Sequence, residues 1–213
     1  MANPTRILLV DDHAVVRAGC KTLLENQEDL CVIAEAESGE AACRQFIEHA
    51  PDVVIMDLSM PGVGGIEAIR RIISRHSDAR VLVFSMHEDL VFVEQALQAG
   101  ARGYIGKRSA PVVLVDAVRQ IASGNIFIDP DIAQRLAYQK STGNDSPFQI
   151  LSTREFEILC LLAEGLSGNA IANRLALSAK TVANYATQIK SKLEVETNSE
   201  LTRLAIRHGL VKV

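Results

Sequence analysis

Four short apolar runs, each closing on a charged or hydroxyl-bearing residue, constrain this chain more than any other feature. Arg6-Ile7-Leu8-Leu9-Val10 runs into Asp11-Asp12, and Val53-Val54-Ile55-Met56 runs into Asp57. Val81-Leu82-Val83-Phe84 ends at Ser85, and Gly103-Tyr104-Ile105-Gly106 ends at Lys107. Short continuous apolar runs between helical stretches read as strands of a parallel sheet, buried on both faces. Ligands of such open sheets sit in the crevice beyond the carboxyl ends of the strands. The polar residues should therefore meet in one pocket holding three carboxylates, a hydroxyl and an ammonium. Three carboxylates repel one another unless a divalent cation neutralises them, and hard oxygen ligands with room for water and phosphate suit Mg²⁺. A carboxylate beside Mg²⁺, a hydroxyl and a lysine can form and sense an aspartyl phosphate. Taken singly, Asp11-Asp12 and Ser85 could cap helices, Asp57 could open a turn before Pro61, and Lys107 could be a solvated charge. Their recurrence at four strand ends argues for the pocket.

On these motifs, together with Met56-Asp57-Leu58-Ser59-Met60-Pro61-Gly62 and Ser85-Met86, residues 1–125 resemble the receiver domain of a bacterial two-component response regulator. The resemblance implies that Asp57 accepts a phosphoryl group from a sensor histidine kinase. It implies that Asp12, Asp57 and the Ser59 backbone carbonyl bind Mg²⁺ directly and that Asp11 acts through a water. Lys107 would pair with one phosphoryl oxygen and Ser85 would donate its hydroxyl to another. Tyr104, three residues before Lys107, is the candidate aromatic switch that turns inward with Ser85; an ordinary core tyrosine is the alternative.

Length and composition fit two small domains. The chain has 213 residues, 48% of them apolar, enough to fill two cores. No apolar run reaches the roughly 18 residues that a membrane crossing needs, and the first residues have no signal-peptide profile. Cys20, Cys31, Cys43 and Cys160 show neither zinc nor disulfide spacing, which suits packing in a reducing cytoplasm. Charge is uneven. Residues 1–125 hold 12 Lys+Arg against 17 Asp+Glu, whereas residues 151–213 hold 8 against 6. A mildly basic tail on an acidic body hints at nucleic acid.

The first domain reads as five βα units, with helices near 13–26, 38–49, 65–76, 89–99 and 111–123. Right-handed crossovers then give a flavodoxin-like, doubly wound sheet of five parallel strands. A short helix near 131–139 and a stretch of linker composition, Lys140 to Pro147, follow. The expected division is therefore 1–125, a helical linker 126–147, and a small all-α domain 148–213, with the boundary near residue 145. In the last part, Ser152 or Thr153 should cap a helix with Glu155 near its third position, running to Glu164 before Gly165. Helices near 169–175, 179–193 and 198–207 complete a helix-turn-helix plan whose second member enters the major groove. Val182, Ala186, Ile189 and Leu193 make one apolar face of the 179–193 helix. Its other face carries Lys180, Ala183, Asn184, Thr187, Gln188 and Ser191, flanked by Lys190 and Lys192, groups able to reach base edges and phosphates. An ordinary amphipathic surface helix is the alternative.

Residues 151–213 resemble the LuxR-type (NarL/FixJ-type) DNA-binding domain. The resemblance is carried by Leu151-Ser152-Thr153-Arg154-Glu155, Gly165-Leu166-Ser167, Ile171-Ala172, Leu177-Ser178, Lys180-Thr181-Val182 and Lys192-Leu193. Within this family, Ser146-Pro147-Phe148 and the run Glu200 to Leu210 look closest to the GacA/UvrY-type regulators. It implies a phosphorylation-dependent transcription factor, binding double-stranded DNA as a homodimer when phosphorylated, with Thr181 among the DNA contacts. The family further suggests that the inactive receiver covers the recognition helix. Leu201, Leu204 and Ala205 of the last helix are a possible dimer contact, with core packing as the alternative. In this chain Gly168-Asn169-Ala170 replaces the family's more usual Asn-Lys-Glu run, and Ala183 and Thr187 stand where relatives often carry a basic residue. Two other classes fit the residues less well. An aspartyl-phosphate phosphotransferase or phosphatase of the haloacid-dehalogenase type would need a second acid two residues after its nucleophile, where this chain has Ser59. A ligand-sensing LuxR-type regulator would not explain the acidic constellation. No P-loop occurs, so nucleotide hydrolysis is not supported.

Overall fold

The computed structural model describes residues 3–109, 111–142 and 146–211. Strand and helix alternate from β1 (Thr5–Val10) and α1 (Ala14–Glu25) through β2 (Leu30–Ala36), α2 (Gly39–His49), β3 (Val53–Met56) and α3 (Gly65–Arg75). They continue through β4 (Val81–Ser85), α4 (Leu90–Gln98), β5 (Gly103–Gly106), α5 (Pro111–Ala122), β6 (Phe127–Ile128) and α6 (Pro130–Ser141). After a 3₁₀ turn at Pro147–Ile150 the chain is helical: α7 (Thr153–Ala163), α8 (Gly168–Arg174), α9 (Ala179–Lys192) and α10 (Asn198–Arg207).

All strand pairings are parallel, in the order β2-β1-β3-β4-β5-β6. Strand order reverses between β1 and β3, the switch point at which a doubly wound sheet opens its ligand crevice. The five expected strands are joined by a sixth. Phe127 and Ile128 are too few to show a period, yet Phe127 N donates to Arg102 O at 3.1 Å and Asp129 N to Tyr104 O at 2.9 Å. Gly103 permits this approach, since a Cβ there would lie 2.7 Å from Phe127 O. The stretch after residue 125 thus extends the sheet before α6 begins.

Because helices cover both faces, the inner strands β3 and β5 are buried at every position. Leu8, Val10, Val54, Met56, Val81 and Val83 fill one face, while Ile7, Leu9, Val53, Ile55, Leu82 and Ile105 fill the other under α1 and α5. The first of these clusters does not stop at the end of the sheet. It runs through Phe92 and Phe148 into Phe156, Ile158, Leu159, Ile171, Val182 and Ile189, so the helical unit shares one apolar core with the α3–α4 side of the sheet. Two separate cores joined by a linker were expected; instead α7 packs on α3 and meets α4 through Phe156 against Phe92, while the 3₁₀ turn at Pro147–Ile150 packs on α4.

Local chemistry sets the C-terminal helices. Ser152 is the cap of α7, its hydroxyl accepting from Glu155 N while Glu155 reaches back to Ser152 N at 2.7 Å, a complete capping box. Ser167 and Ser178 cap α8 and α9 in turn. Leu201 and Ala205 are buried in the core against α7 and the half-buried Leu204 packs on the same core, so this face serves packing rather than the dimer contact expected of it. The expected boundary at residue 145 lies outside the described residues.

Candidate phosphoacceptor site and DNA-contacting helix

The backbone places the four strand ends level with one another. Asp11 N donates to Ala36 O at 3.0 Å, Asp57 N to Val10 O at 2.9 Å and Lys107 N to Ser85 O at 2.8 Å, each extending the sheet ladder by one rung. Asp11, Asp12, Asp57 and Lys107 therefore converge, and Ser85 ends the strand next to that of Lys107. Asp11, Asp57 and Ser85 are all buried. Lys107 Nζ lies 2.6 Å from Asp11 Oδ2 and 2.9 Å from Asp57 Oδ2. Burial alone would push the Lys107 ammonium toward deprotonation, but the two carboxylates outweigh it and hold its pKa above the ordinary lysine value. Asp57 Oδ1 accepts from Leu58 N at 2.8 Å, while Oδ2, despite the nearby ammonium, has no aligned hydrogen bond. Gly65 packs so closely on the Asp57 carbonyl that any Cβ would collide with it, which lets α3 start directly beneath the site.

Ser85 Oγ accepts from His87 N at 3.2 Å, and the wholly buried Tyr104 turns inward to donate its hydroxyl to the His87 carbonyl. Burial pushes the phenol far above its ordinary pKa. Ser59 is exposed, with its hydroxyl 2.8 Å from His87 Nε2. One donor at the acidic cluster was not anticipated. His13 sits with Asp11, Asp12 and Asp57 so that one ligand atom from each lies within 4.8 Å of the others. Its position directly after the acidic pair is the one sequence signal for it.

On α9, Lys180, Ala183, Asn184, Thr187 and Gln188 are exposed, Lys190 is half-buried, and Val182 and Ile189 face the core. Thr181 is half-buried with its hydroxyl 2.8 Å from Ser178 Oγ, and Thr187 donates to Ala183 O. Lys192 differs from its neighbours. Its ammonium is 2.7 Å from Glu155 Oε2, so it closes the capping box of α7 and is only partly available to a phosphate. The outer face of α9 stays open, and the receiver meets α7 instead. Gly64 N donates to Glu157 Oε1 at 3.0 Å, Phe92 and Phe156 meet edge to face, and the buried Gln95 amide donates to Phe148 O at 3.0 Å. These contacts link positions 53 to 93 residues apart, and no local pattern announces them.

Residues 7–119 match the model of the response regulator receiver domain, and residues 149–205 match that of the bacterial regulatory proteins of the luxR family. The chain belongs to the LuxR-type response regulators. It is 42% identical over 206 residues to the response regulator UvrY of Escherichia coli (strain K12), covering 96% of this chain and 94% of that one. It is 43% identical over 210 residues to the transcriptional activator protein ExaE of Pseudomonas putida, covering 97% and 98%. Among solved structures, RcsB from Salmonella enterica serovar Typhimurium, bound to promoter rprA in the presence of phosphomimetic BeF3-, is similar at 29% identity. Its TM-score is 0.71, with 95% of this chain and 98% of that chain covered. Among the regulator's described residues, no helix is long and apolar enough to cross a membrane.

Proposed function

We propose that this regulator accepts a phosphoryl group on Asp57 from a sensor histidine kinase and that the modification controls binding of a homodimer to double-stranded DNA. The reading rests chiefly on Asp57, a buried carboxylate at the switch point of the sheet, held beside Lys107 and two further carboxylates. Three carboxylates and one ammonium leave the pocket two negative charges, which suits a divalent ion. Asp12, Asp57 and the Ser59 carbonyl would hold Mg²⁺ directly and Asp11 through a water, and the bound ion supplies positive charge against the phosphoryl oxygens.

The other steps belong to the chain's own residues. Asp57 Oδ2, the oxygen without an aligned hydrogen bond, attacks the phosphorus. The phosphorus–nitrogen bond to the donor histidine breaks as the phosphorus–oxygen bond forms. Lys107 then pairs with a phosphoryl oxygen. A hydroxyl can donate and accept at once, so Ser85 can turn its proton to the phosphoryl group while still accepting from His87 N. Tyr104, already inward, ties the His87 carbonyl to that arrangement. Such a conformer gains population when phosphate is present.

For DNA, Asn184 would read a base, with Lys180 and Lys190 on phosphates, Thr181, Ala183, Thr187 and Gln188 along the groove, and Lys192 at the margin; the exposure of Lys180, Asn184 and Gln188 supports this. With the outer face of α9 open, control falls to dimerisation and to the contact between the receiver and α7 rather than to covering the helix. We assign 1–125 to the receiver, 126–147 to a connecting segment that lends β6 to the sheet, and 148–213 to the DNA-binding domain. A cytoplasmic location accords with that role. Incubating the full chain with a small phosphodonor and Mg²⁺ tests the reading. One label per chain, lost in Asp57→Asn and on chelation, is expected; steady turnover of the donor would favour the phosphatase class, and undiminished labelling of the Asn variant would overturn the site.

A further inference from the structure

His13 occupies the cap position of α1, where an oxygen side chain normally accepts a free amide of the first turn. Its ring makes no such bond. The turn is held without it, because His13 N donates to Asp11 Oδ1 at 2.8 Å and Arg17 N to His13 O at 3.1 Å. The ring instead faces the carboxylates, with Nδ1 2.7 Å from Asp12 Oδ1 and 3.2 Å from Asp11 Oδ1. The shorter approach lacks hydrogen-bond geometry, since the buried Asp12 Oδ1 has no hydrogen-bond partner. Two donor atoms that approach closely without sharing a proton are arranged as ligands of one ion are. Adjacent ligands on an octahedral ion with bonds of about 2.1 Å stand about 3 Å apart. The 2.7 Å between Nδ1 and Asp12 Oδ1, the direct ligand of the pair, is close to that separation.

We infer that His13 is a nitrogen donor to the divalent ion of this site and sets which ion the site takes. This rests on the metal reading given above. Imidazole adds a ligand without adding charge, and it favours ions such as Co²⁺, Ni²⁺ and Zn²⁺ over Mg²⁺, which prefers oxygen. An all-oxygen version of the pocket would discriminate less between the two classes. The opposing reading is a ring that merely donates a proton to Asp11 Oδ1, as its 3.2 Å contact permits.

Calorimetric titration of the full chain with MgCl₂ and, separately, CoCl₂ distinguishes them, using the native chain and His13→Gln. The ratio of Co²⁺ to Mg²⁺ affinity should fall about tenfold or more in the variant, the scale seen when groups supporting a metal site are removed. Pulsed electron paramagnetic resonance of the Mn²⁺-loaded native chain should show imidazole nitrogen coupling that His13→Gln lacks. An unchanged affinity ratio, or no nitrogen coupling in the native chain, overturns the inference and leaves the carboxylate site standing. If neither ion binds the native chain, the metal reading falls and this inference with it.

Discussion

Replacing Lys107 with Met isolates the charge balance on which the site depends. The ammonium lies 2.6 Å from one buried carboxylate and 2.9 Å from another, and each of the three side chains is less than one-tenth exposed. At an effective dielectric constant of about 20, each attraction amounts to about 6 kcal/mol. Burying the ions costs several kcal/mol apiece, so the expected loss on removing one partner is about 3–5 kcal/mol, mostly the penalty of two carboxylates left without a counter-ion. Methionine keeps an apolar stem, so lost packing adds little. With a urea dependence of about 1–3 kcal/mol per molar, the unfolding midpoint of the receiver at pH 7 in EDTA should drop by about 2 M. Mg²⁺ at a hundred times its Kd stabilises the native state by about 2.7 kcal/mol. With no ammonium competing for the carboxylates, the variant should bind Mg²⁺ more tightly and the gap should narrow. Lys107 also predicts the pH window. Its pKa is raised in the fold because Asp11 and Asp57 outweigh burial, so its contribution is complete below the ordinary lysine value of about 10.4 and is lost as pH rises through the higher folded value. The gap should therefore stay level from neutral to mildly alkaline pH and close only above that. Equal midpoints in EDTA, or equal Mg²⁺ shifts for both proteins, would refute the reasoning.

Glu155→Gln should destabilise the helical unit by about 1 kcal/mol at pH 7. Burial alone would raise the Glu155 pKa, but the Lys192 ammonium and the Ser152 amide hold it below the ordinary carboxylate range. Its stabilisation is thus present above the unfolded value of about 4.3 and lost as pH falls through the folded one, so thermal melts of the two proteins should converge in acid. Glu157→Ala removes the acceptor of Gly64 N, and a loss of about 1.4 kcal/mol should speed exchange of the Gly64 amide proton about tenfold, read by hydrogen exchange. Asn184→Ala should cost about 1–3 kcal/mol at one base pair and relax selectivity there, whereas Lys190→Ala should weaken all sequences alike and lower the salt slope by about 1 per site. A binding-site selection in which Asn184→Ala keeps the native preference at every position would contradict its assignment.

The amino-acid sequence by itself determined the sheet and the gathering of its polar ends. Runs such as Val53–Met56 are apolar at every position, so only burial on both faces accommodates them, and the residue after each run must emerge at the carboxyl edge. Helix starts near residues 152 and 179 were equally legible, because capping is a contact between neighbours in the chain, although the choice between Ser152 and Thr153 as cap fell to the structure. The last helix was ambiguous, since an apolar stripe looks the same whether it meets a core or a second copy; the tertiary structure gives Leu201 and Ala205 to the core. The two-residue β6 was invisible because two residues carry no period, and only the gap beside Gly103 makes them a strand. Lys192 likewise sits at helical spacing for a phosphate contact, yet a carboxylate 37 residues earlier takes its ammonium. The joining of the two units was decided entirely in three dimensions. Phe92 with Phe156, Gln95 with Phe148 and Gly64 with Glu157 are long-range partners, and contacts of that kind leave no trace in hydrophobic periodicity, which records only the face a residue buries and never what covers it.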